Sequence, residues 1–92
     1  MKHSEIPKHD AVHQATHWYW FNSANQRYYD AHLVHDLFGD WHLLLAWGRR
    51  GTRLGGLRYE ACSTPQSGYD IVQRIHRRRL QHGYVLLLST KA

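Results

Sequence analysis

The chain has 92 residues, of which 42% are hydrophobic and 21% charged, and its formal net charge is +5 with the histidines neutral. This length corresponds to one domain with a modest core, which excludes a multidomain enzyme with a separate cofactor domain. There is no apolar run of membrane-spanning length and no apolar secretory leader, so we expect neither membrane insertion nor export. Cys62 is the only cysteine, which excludes a disulfide scaffold and favours a reducing, cytoplasmic setting.

The positive charge is concentrated in the second half of the chain. Residues 1–46 have a net charge of −2, residues 47–90 have a net charge of +6, and every base in the second segment is an arginine. A guanidinium group binds phosphate oxygens through two parallel hydrogen bonds, which a lysine ammonium cannot do. The imbalance therefore favours a polyanionic partner such as nucleic acid. A solvated basic surface that only keeps the protein in solution is the alternative.

The first half of the chain predicts an arm and three strands. Residues 1–16 are polar and histidine-rich without sustained periodicity, and we expect a flexible arm ahead of a domain over residues 17–90. Aromatic and apolar stretches bounded by turn signals predict successive strands over residues 17–22, 27–34 and 41–47. Trp18 and Trp20 share one face of the first strand. The third strand is apolar on both faces, which predicts an interior position in the sheet.

The second half predicts two more strands and one helix. A glycine-rich loop over residues 49–56 precedes a fourth strand over 57–62, in which Leu57, Tyr59 and Ala61 alternate with more polar residues. Such alternation is typical of a sheet with one solvated face. After the helix, residues 84–88 form the fifth strand. The predicted fold class is α+β, a mainly antiparallel sheet of about five strands with one helix packed across one face.

The helix has clear end signals and a narrow apolar stripe. Thr64 is suited to the N-cap, Pro65 to the first turn and Gly83 to the C-terminal stop. The stripe is formed by Ile71, Val72, Ile75 and Arg79. We expect Arg79 to face the sheet, with its stem packed and its head reaching an acid or strand-end carbonyls. Arg77 and Arg78 are solvated surface charges or weaker candidates for contact with nucleic acid.

Residues Trp47, Gly48 and Arg49 form a Trp-Gly-Arg signature at the end of the third strand. Further blocks accompany it in order: Arg27-Tyr28-Tyr29, Asp36-Leu37-Phe38-Gly39-Asp40-Trp41, Gly55-Gly56, and Arg79 shortly before Gly83-Tyr84. This ordered set resembles the WGR domain family, and the resemblance covers about residues 17–88. It implies an antiparallel sheet with one helix. The family occurs in DNA-dependent poly(ADP-ribose) polymerases, in molybdate metabolism regulator-like bacterial proteins, and as standalone bacterial domains.

The resemblance also implies a set of DNA contacts. In the polymerases the domain binds DNA near a break, where the signature Trp packs on a terminal sugar and polar residues before the Tyr-Tyr block reach a 5′-phosphate. Carried over, Trp47 is the sugar-packing ring and Arg49 lies near the backbone. Gln26 and Arg27 stand where the phosphate-binding pair lies, with Asn25 before them. They replace a common Asn-Lys pair and keep one amide donor and one cation.

The residues around the signature also have purely structural interpretations. Trp47 can be partly core, and Gly48 can be a plain turn glycine rather than a point of close backbone approach. Arg49, Arg50 and Arg53 share a loop that contains glycines. Such a loop suits phosphate contacts, which position a nucleic acid without reading its sequence. The alternative is a solvated loop or structural pairing with Asp36 or Asp40.

No enzyme site is evident. His9, His13 and His17 are spaced four apart, but no Cys or carboxylate cluster completes a site in the sequence, and we expect no metal and no cofactor. Cys62 has no catalytic partner at a defensible spacing, so we expect a strand-buried thiol. No nucleophile elbow, paired-acid motif or Walker loop is present.

The sequence therefore predicts a non-enzymatic nucleic-acid-binding module, most directly one that binds DNA ends or breaks with little sequence specificity. The single helix has to cover the sheet, which argues against base reading in the major groove. RNA binding is one alternative, because arginines and aromatic rings also serve single strands. A protein-interaction adaptor using the same face is another, which an exposed apolar patch would favour, and Trp18 and Trp20 are the candidates for such a patch.

Overall fold

The structure, a computed structural model, describes residues 15–91, so residues 1–14 of the predicted arm lie outside the described part. The elements in chain order are β1 (His17–Asn22), β2 (Arg27–His35), β3 (Trp41–Arg49), β4 (Gly55–Cys62), α1 (Pro65–Gln81) and β5 (Val85–Thr90). The predicted α+β class, with five strands and one helix, is confirmed. Sheet pairing starts just ahead of β1, because the backbone N–H of Thr16 donates to the carbonyl of Thr90 over 3.0 Å.

The five strands form one open antiparallel sheet in the order β4-β3-β2-β1-β5. β2 is central, and β3 lies between β4 and β2, which confirms its predicted interior position. The two edges are β4 and β5. β3 extends two residues beyond the prediction, and β4 begins two residues before it, so the loop between them shortens to residues 50–54.

The core lies between α1 and one face of the sheet. Trp18 and Trp20 of β1 are fully buried there, together with Leu43, Leu45 and Val72. The ring of Trp18 meets Tyr69 edge-on, with centroids 6.3 Å apart. The two tryptophans thus supply the bulk of the core, and the suggestion that they form an exposed docking patch is wrong.

The helix begins and ends where the sequence predicts. The Thr64 hydroxyl accepts a hydrogen bond from the backbone N–H of Ser67, and the Ser67 hydroxyl accepts one from the backbone N–H of Thr64, which completes a capping box. At the other end Gly83 has a φ of +85°. The next backbone N–H, that of Tyr84, donates to the carbonyl of Arg79 over 3.0 Å and turns the chain into β5.

Two predictions of which side chains face the core, one for β4 and one for α1, are wrong. Leu57 and Tyr59 are each 65% exposed, whereas Cys62 of the same strand is buried. Their apolar alternation therefore points away from the helix, because the register of β4 on β3 places Gly56 opposite the core-facing Trp47. The helix stripe is also rotated: its buried centre is Gly68, Tyr69, Val72, Gln73 and His76, while Ile71 and Ile75 lie at its margin.

The rotation of the helix follows from its partners on β1. The indole N–H of Trp20 donates to Nδ1 of His76 over 3.0 Å, and both residues are buried. A buried indole N–H without an acceptor carries a desolvation cost, so a polar residue at this helix position is preferred over an aliphatic one. The sequence pattern of apolar residues alone does not reveal this preference.

Substituting His76 by Phe keeps a ring of similar size and removes the acceptor of Trp20. We expect the free energy of unfolding to fall by about 1–3 kcal/mol, measured by urea denaturation. Gln81→Phe, at an exposed position of the same helix, is the control and should change stability by no more than about 0.5 kcal/mol. Equal stability of His76→Phe and the native chain would show that this hydrogen bond does not orient the helix.

Candidate nucleic-acid interface

Trp47 lines a cavity of about 480 Å³ at one end of the core-side face. Its half-buried ring stacks on Tyr29 of β2, with centroids 6.0 Å apart and planes inclined by 17°. Tyr84, from the turn before β5, lines the same cavity. Part of the Trp47 ring is thus packed, as expected for a core residue. The rest of the ring borders an accessible cavity, as contact with a nucleic acid requires.

Glycines around Trp47 allow close packing of its ring and of the neighbouring backbone. A Cβ on Gly56 would lie 2.5 Å from the Trp47 ring, and a Cβ on Gly55 would lie 2.3 Å from the Trp47 carbonyl oxygen. A Cβ on Gly48 would lie 2.7 Å from the carbonyl oxygen of Leu54. Close approach therefore requires glycine at all three positions, and Gly48 is more than a plain turn residue.

A second, more basic cleft of about 620 Å³ adjoins this cavity. It lies where the ends of β2 and β3 meet the last turn of α1, and its lining residues are Asn25, Arg27, Arg49, Arg78, Arg79, His82 and Tyr84. Within the described residues, no Asp or Glu lines this cleft or the Trp47 cavity. We call the two together the basic cleft. Arg58 pairs with Glu60 over 3.2 Å, whereas Arg27, Arg49 and Arg78 form no ion pair with an acid of the described residues.

The basic cleft results from strand register and helix docking. Arg27 pairs directly with Arg49 across β2 and β3, so the two side chains share one face of the sheet. They lie on the same face as Tyr29 and Trp47 because side chains alternate along each strand. Arg78 approaches from the last turn of the helix. Arginines from three elements distant in sequence thus converge.

Arg79 holds the helix end over this region. Its guanidinium carbon lies 4.8 Å from the ring centroid of Tyr29 and 5.0 Å from that of Tyr84. The prediction that Arg79 faces the sheet is confirmed by its half-buried side chain, but its head meets two aromatic rings rather than the predicted acid or carbonyl groups. Its Nε is buried without a hydrogen-bond partner in the described part of the chain. Cation–π contact takes the place of an ion pair.

The turn between β1 and β2 positions the predicted phosphate pair. Gln26 has a φ of +64°, and its side-chain amide donates to the carbonyl of Ser23 over 3.0 Å. The side-chain carbonyl of Asn25 accepts from the backbone N–H of Arg27 over 3.0 Å. Arg27 and Asn25 line the basic cleft, whereas the Gln26 amide is engaged within the turn. The pair is therefore divided between a cation that faces the cleft and an amide that stabilises the turn.

Three other predicted site residues lie elsewhere. The guanidinium of Arg50 stacks 4.0 Å from the ring centroid of Phe21 and donates to the Tyr19 hydroxyl over 3.2 Å, on the face opposite to Trp47. Arg53 is exposed at the tip of the β3–β4 loop. Arg77 lines a shallow depression near Glu60, away from the basic cleft. Arg78 borders this depression as well, but of the two only Arg78 also lines the basic cleft.

Asp36 and Asp40 do not pair with the signature arginines, so that alternative is wrong. They lie at the opposite end of β3, in the β2–β3 turn, where Asp36 accepts from the backbone N–H of Asp40 over 2.9 Å and from His42 over 2.8 Å. The N–H of Asp40, followed by His42, lowers the pKa of Asp36. These acids stabilise the hairpin turn and leave the basic cleft free of negative charge.

Cys62 is buried, as predicted, at 7% exposure. Burial raises the pKa of its thiol, which keeps the group protonated. A protonated, buried thiol is a poor nucleophile.

Comparison with family models identifies the fold family. The model of the WGR domain matches residues 14–91, nearly the whole chain. The chain belongs to the WGR domain family. This family is associated with nucleic-acid binding, and the WGR domain is a binding domain that is not itself catalytic. No significant match was found among curated proteins or among solved structures.

The WGR signature explains only part of the basic cleft. Arg58, Arg79, His82 and Tyr84 line it but were not among the predicted contact residues. Arg79 carried a signal, because it falls on the helix stripe where a base is unusual. Tyr84 belongs to the Gly83-Tyr84 block of the resemblance but was not assigned a contact, and Arg58 carried no signal because its position depends on which face of β4 packs inward. Over residues 15–91, α1 is too short and too polar to cross a membrane.

Gly56→Ala should displace the Trp47 ring, because the added Cβ has no space beside it. We expect a loss of about 1–3 kcal/mol in the free energy of unfolding and a changed chemical shift of the Trp47 indole N–H. Ala61→Val adds bulk to the same strand on the opposite face and should leave that resonance in place. An unmoved indole resonance in Gly56→Ala would show that Trp47 does not pack on β4 as described.

Proposed function

We propose that this WGR domain is a non-enzymatic nucleic-acid-binding module that binds DNA at ends or breaks, with little sequence specificity. The observation that carries the proposal is the basic cleft, in which arginines from β2, β3 and α1 surround Trp47 with no acid among the described lining residues. Phosphate is the ligand chemistry that such convergent guanidinium groups fit best. A cytoplasmic setting is proposed with it, on the ground of cysteine usage alone.

Phosphate contacts supply the affinity in this proposal. Arg27, Arg49 and Arg78 are exposed and face the cleft from different elements, so together they can contact successive phosphates. The amide of Asn25 adds a neutral donor at the same edge. Contacts of this kind position a nucleic acid without reading its sequence. Arg79 lies deeper, held by Tyr29 and Tyr84, and provides positive potential at the cleft floor.

Trp47 supplies the preference for ends. Its ring is fixed on one side by Tyr29 and by the β4 backbone at Gly56. The surface that remains open borders the cavity, where a terminal sugar can pack as the family resemblance implies. An internal nucleotide is covered by its neighbours on both sides, whereas a terminal one presents a free sugar. A fixed ring beside phosphate donors therefore favours a strand terminus.

The helix supports the expectation of low sequence specificity. Its buried side, centred on Tyr69, Val72 and His76, packs on the sheet. A recognition helix has to lie in the major groove with its side chains on base edges, and α1 is committed to the core along most of its length. Readout in this domain therefore rests on the backbone and the terminus of the nucleic acid.

The contribution of the cleft is testable by charge-matched pairs of substitutions. Arg27→Ala with Arg49→Ala should weaken binding to a labelled, 5′-phosphorylated short duplex far more than Arg74→Ala with Arg77→Ala, which removes the same charge from the exposed side of α1. Fluorescence anisotropy across several salt concentrations measures both affinity and salt slope. The plot of log affinity against log salt concentration becomes less steep by about 0.9 for each phosphate contact that is lost. We therefore expect the cleft pair, and not the helix pair, to reduce the magnitude of this slope by about 1.8.

Competitors distinguish the ligand classes. Closed-circular DNA should compete poorly if ends are preferred, and single-stranded RNA that competes better than the duplex would favour the RNA alternative. Equal effects of the two arginine pairs would contradict the assignment of the binding face. No binding by the native chain at about 50 mM salt, where phosphate-dominated binding is strong, would overturn the proposal.

A protein-interaction adaptor is the second candidate, and one observation favours it. The sheet face opposite to the helix, which we call the open face, exposes apolar side chains, notably Leu57 and Tyr59 at 65% and Val85 at 53%. Leu57 and Tyr59 lie together on the edge strand β4 and Val85 on the opposite edge strand β5, and a contiguous exposed apolar patch marks a protein-contact site. The sequence placed an adaptor surface on the WGR face, whereas the apolar area lies on the other side of the sheet.

The two candidates predict different effects of substitutions on the open face. Leu57→Ser with Tyr59→Ser should leave DNA affinity within twofold of the native value, because neither side chain faces the basic cleft. The same anisotropy titration tests this, with thermal unfolding as the control for folding. A loss of DNA binding in this folded variant would place the nucleic acid on the open face instead.

A further inference from the structure

We infer that the open face carries a zinc site formed by His17, Asp30 and His32. The three side chains belong to β1 and β2, and their ligand atoms all lie within 4.8 Å of one another. They lie on the face of the sheet opposite to Trp47 and take no part in the basic cleft. The inference is therefore independent of the proposed nucleic-acid binding.

Strand register brings the three residues together. His17 lies directly opposite His32 in the antiparallel pairing of β1 with β2. Asp30 precedes His32 by two residues on the same strand, so the two side chains share a face. The sequence alone suggested a metal interpretation only for His9, His13 and His17 on a helix. It did not reveal this cluster, because the partners of His17 are supplied by the neighbouring strand.

The distances are close to those that an ion requires. Nε2 of His17 lies 2.6 Å from Oδ1 of Asp30, and Nε2 of His32 lies 3.9 Å from the same oxygen. Bonds of 2.0–2.2 Å at a tetrahedral angle place ligand atoms about 3.4 Å apart. One separation therefore has to widen and the other to shorten, each by less than about 1 Å. Side-chain rotation supplies such shifts without moving the strands.

The present arrangement is a hydrogen-bonded stack that an ion would replace. The His17 and His32 rings are stacked, with centroids 3.8 Å apart and planes inclined by 22°. Their Nε2 atoms both lie on the Asp30 side. Tilting the two rings toward each other makes the Nε2 lone pairs converge on one point in front of the carboxylate. Three metal–ligand bonds then take the place of one stack and one hydrogen bond.

The ligand set selects a borderline transition metal, and zinc in particular. Two imidazoles and one carboxylate are typical zinc ligands, with a water molecule in the fourth position. Calcium and magnesium prefer sets made only of oxygen atoms. The soft thiolate that copper(I) favours is not present here, because Cys62 lies on the opposite face of the sheet.

The surroundings of the cluster favour binding of an ion. Leu44 of β3 lies directly opposite His32, and Ala46 lies directly opposite Asp30. The three ligand side chains are themselves only 21% to 39% exposed. An apolar border limits competing water and strengthens charge–ligand attraction. One side of the cluster, facing away from the sheet, stays open to solvent and allows an ion to enter.

The chain also provides a matched control. His42 and Asp36 form a second histidine–carboxylate pair, with His42 Nε2 2.8 Å from Asp36 Oδ2. No third ligand atom completes that pair among the described residues. It resembles the proposed site in hydrogen bonding and differs from it in ligand number, so His42→Gln controls for the loss of a histidine.

Isothermal titration of the untagged full-length chain with zinc chloride tests the inference. We expect one ion bound with micromolar affinity, and a loss of affinity of at least tenfold in His17→Gln, Asp30→Asn and His32→Gln. His42→Gln should bind as the native chain does. Equal binding by all variants would assign the ion to other residues, such as the N-terminal histidines, and would overturn the site. No zinc binding by the native chain would overturn it as well.

Imidazole resonances of the native chain give a second readout that does not depend on any variant folding. Addition of zinc should shift the Nε2 signals of His17 and His32 and leave that of His42 unchanged. Shifts confined to His3, His9 and His13 would contradict the site even if the chain bound one ion. The thermal unfolding temperature should also rise with zinc concentration, because an ion that binds only the folded state stabilises it.

Discussion

The contact of the Arg79 guanidinium with the rings of Tyr29 and Tyr84 is the interaction on which the candidate site depends. A helix C-terminus repels anions, because its free carbonyl groups carry partial negative charge. Here the last turn carries two bases and lies over the ends of β2 and β3. The aromatic rings hold one guanidinium in place without an acid, so its charge is not cancelled. A carboxylate at that point would have anchored the helix equally well and neutralised the cleft.

The single-helix architecture divides the molecule into two chemically different faces. Trp18 and Trp20 fill the space under α1, and the cavity that Trp47 borders lies beyond the last turn of the helix on the same face. Within residues 15–91 the open face carries no helix, and it presents exposed apolar groups together with the His17, Asp30 and His32 cluster. Charge therefore accumulates on one side and apolar surface on the other. The proposed nucleic-acid contact and the proposed zinc site therefore lie on different faces of the sheet.

The sequence predicted the strands, the helix and the signature because their signals are local. Caps such as Thr64 and Gly83 act through adjacent backbone groups, and alternation marks a strand wherever it lies. The prediction of which β4 side chains face the core was wrong, because Leu57 and Tyr59 are apolar yet point outward. The register of β4 on β3 determines which face each side chain lies on. The same holds for Arg50, which shares a loop with Arg49 but lies on the opposite face. The register between strands and the rotation of the helix depend on residues distant in sequence, so local sequence patterns do not predict them.

We propose that nucleic acid binds the face of the sheet where α1 ends over β2 and β3. Chemical-shift mapping with a 5′-phosphorylated duplex tests it most directly, with arginine side-chain and indole N–H signals observed on the native chain. We expect the signals of Arg27, Arg49 and Trp47 to move together and the Arg50 signal to stay in place. Shifts centred on Arg50 and the open face, with the Trp47 indole unchanged, would contradict it.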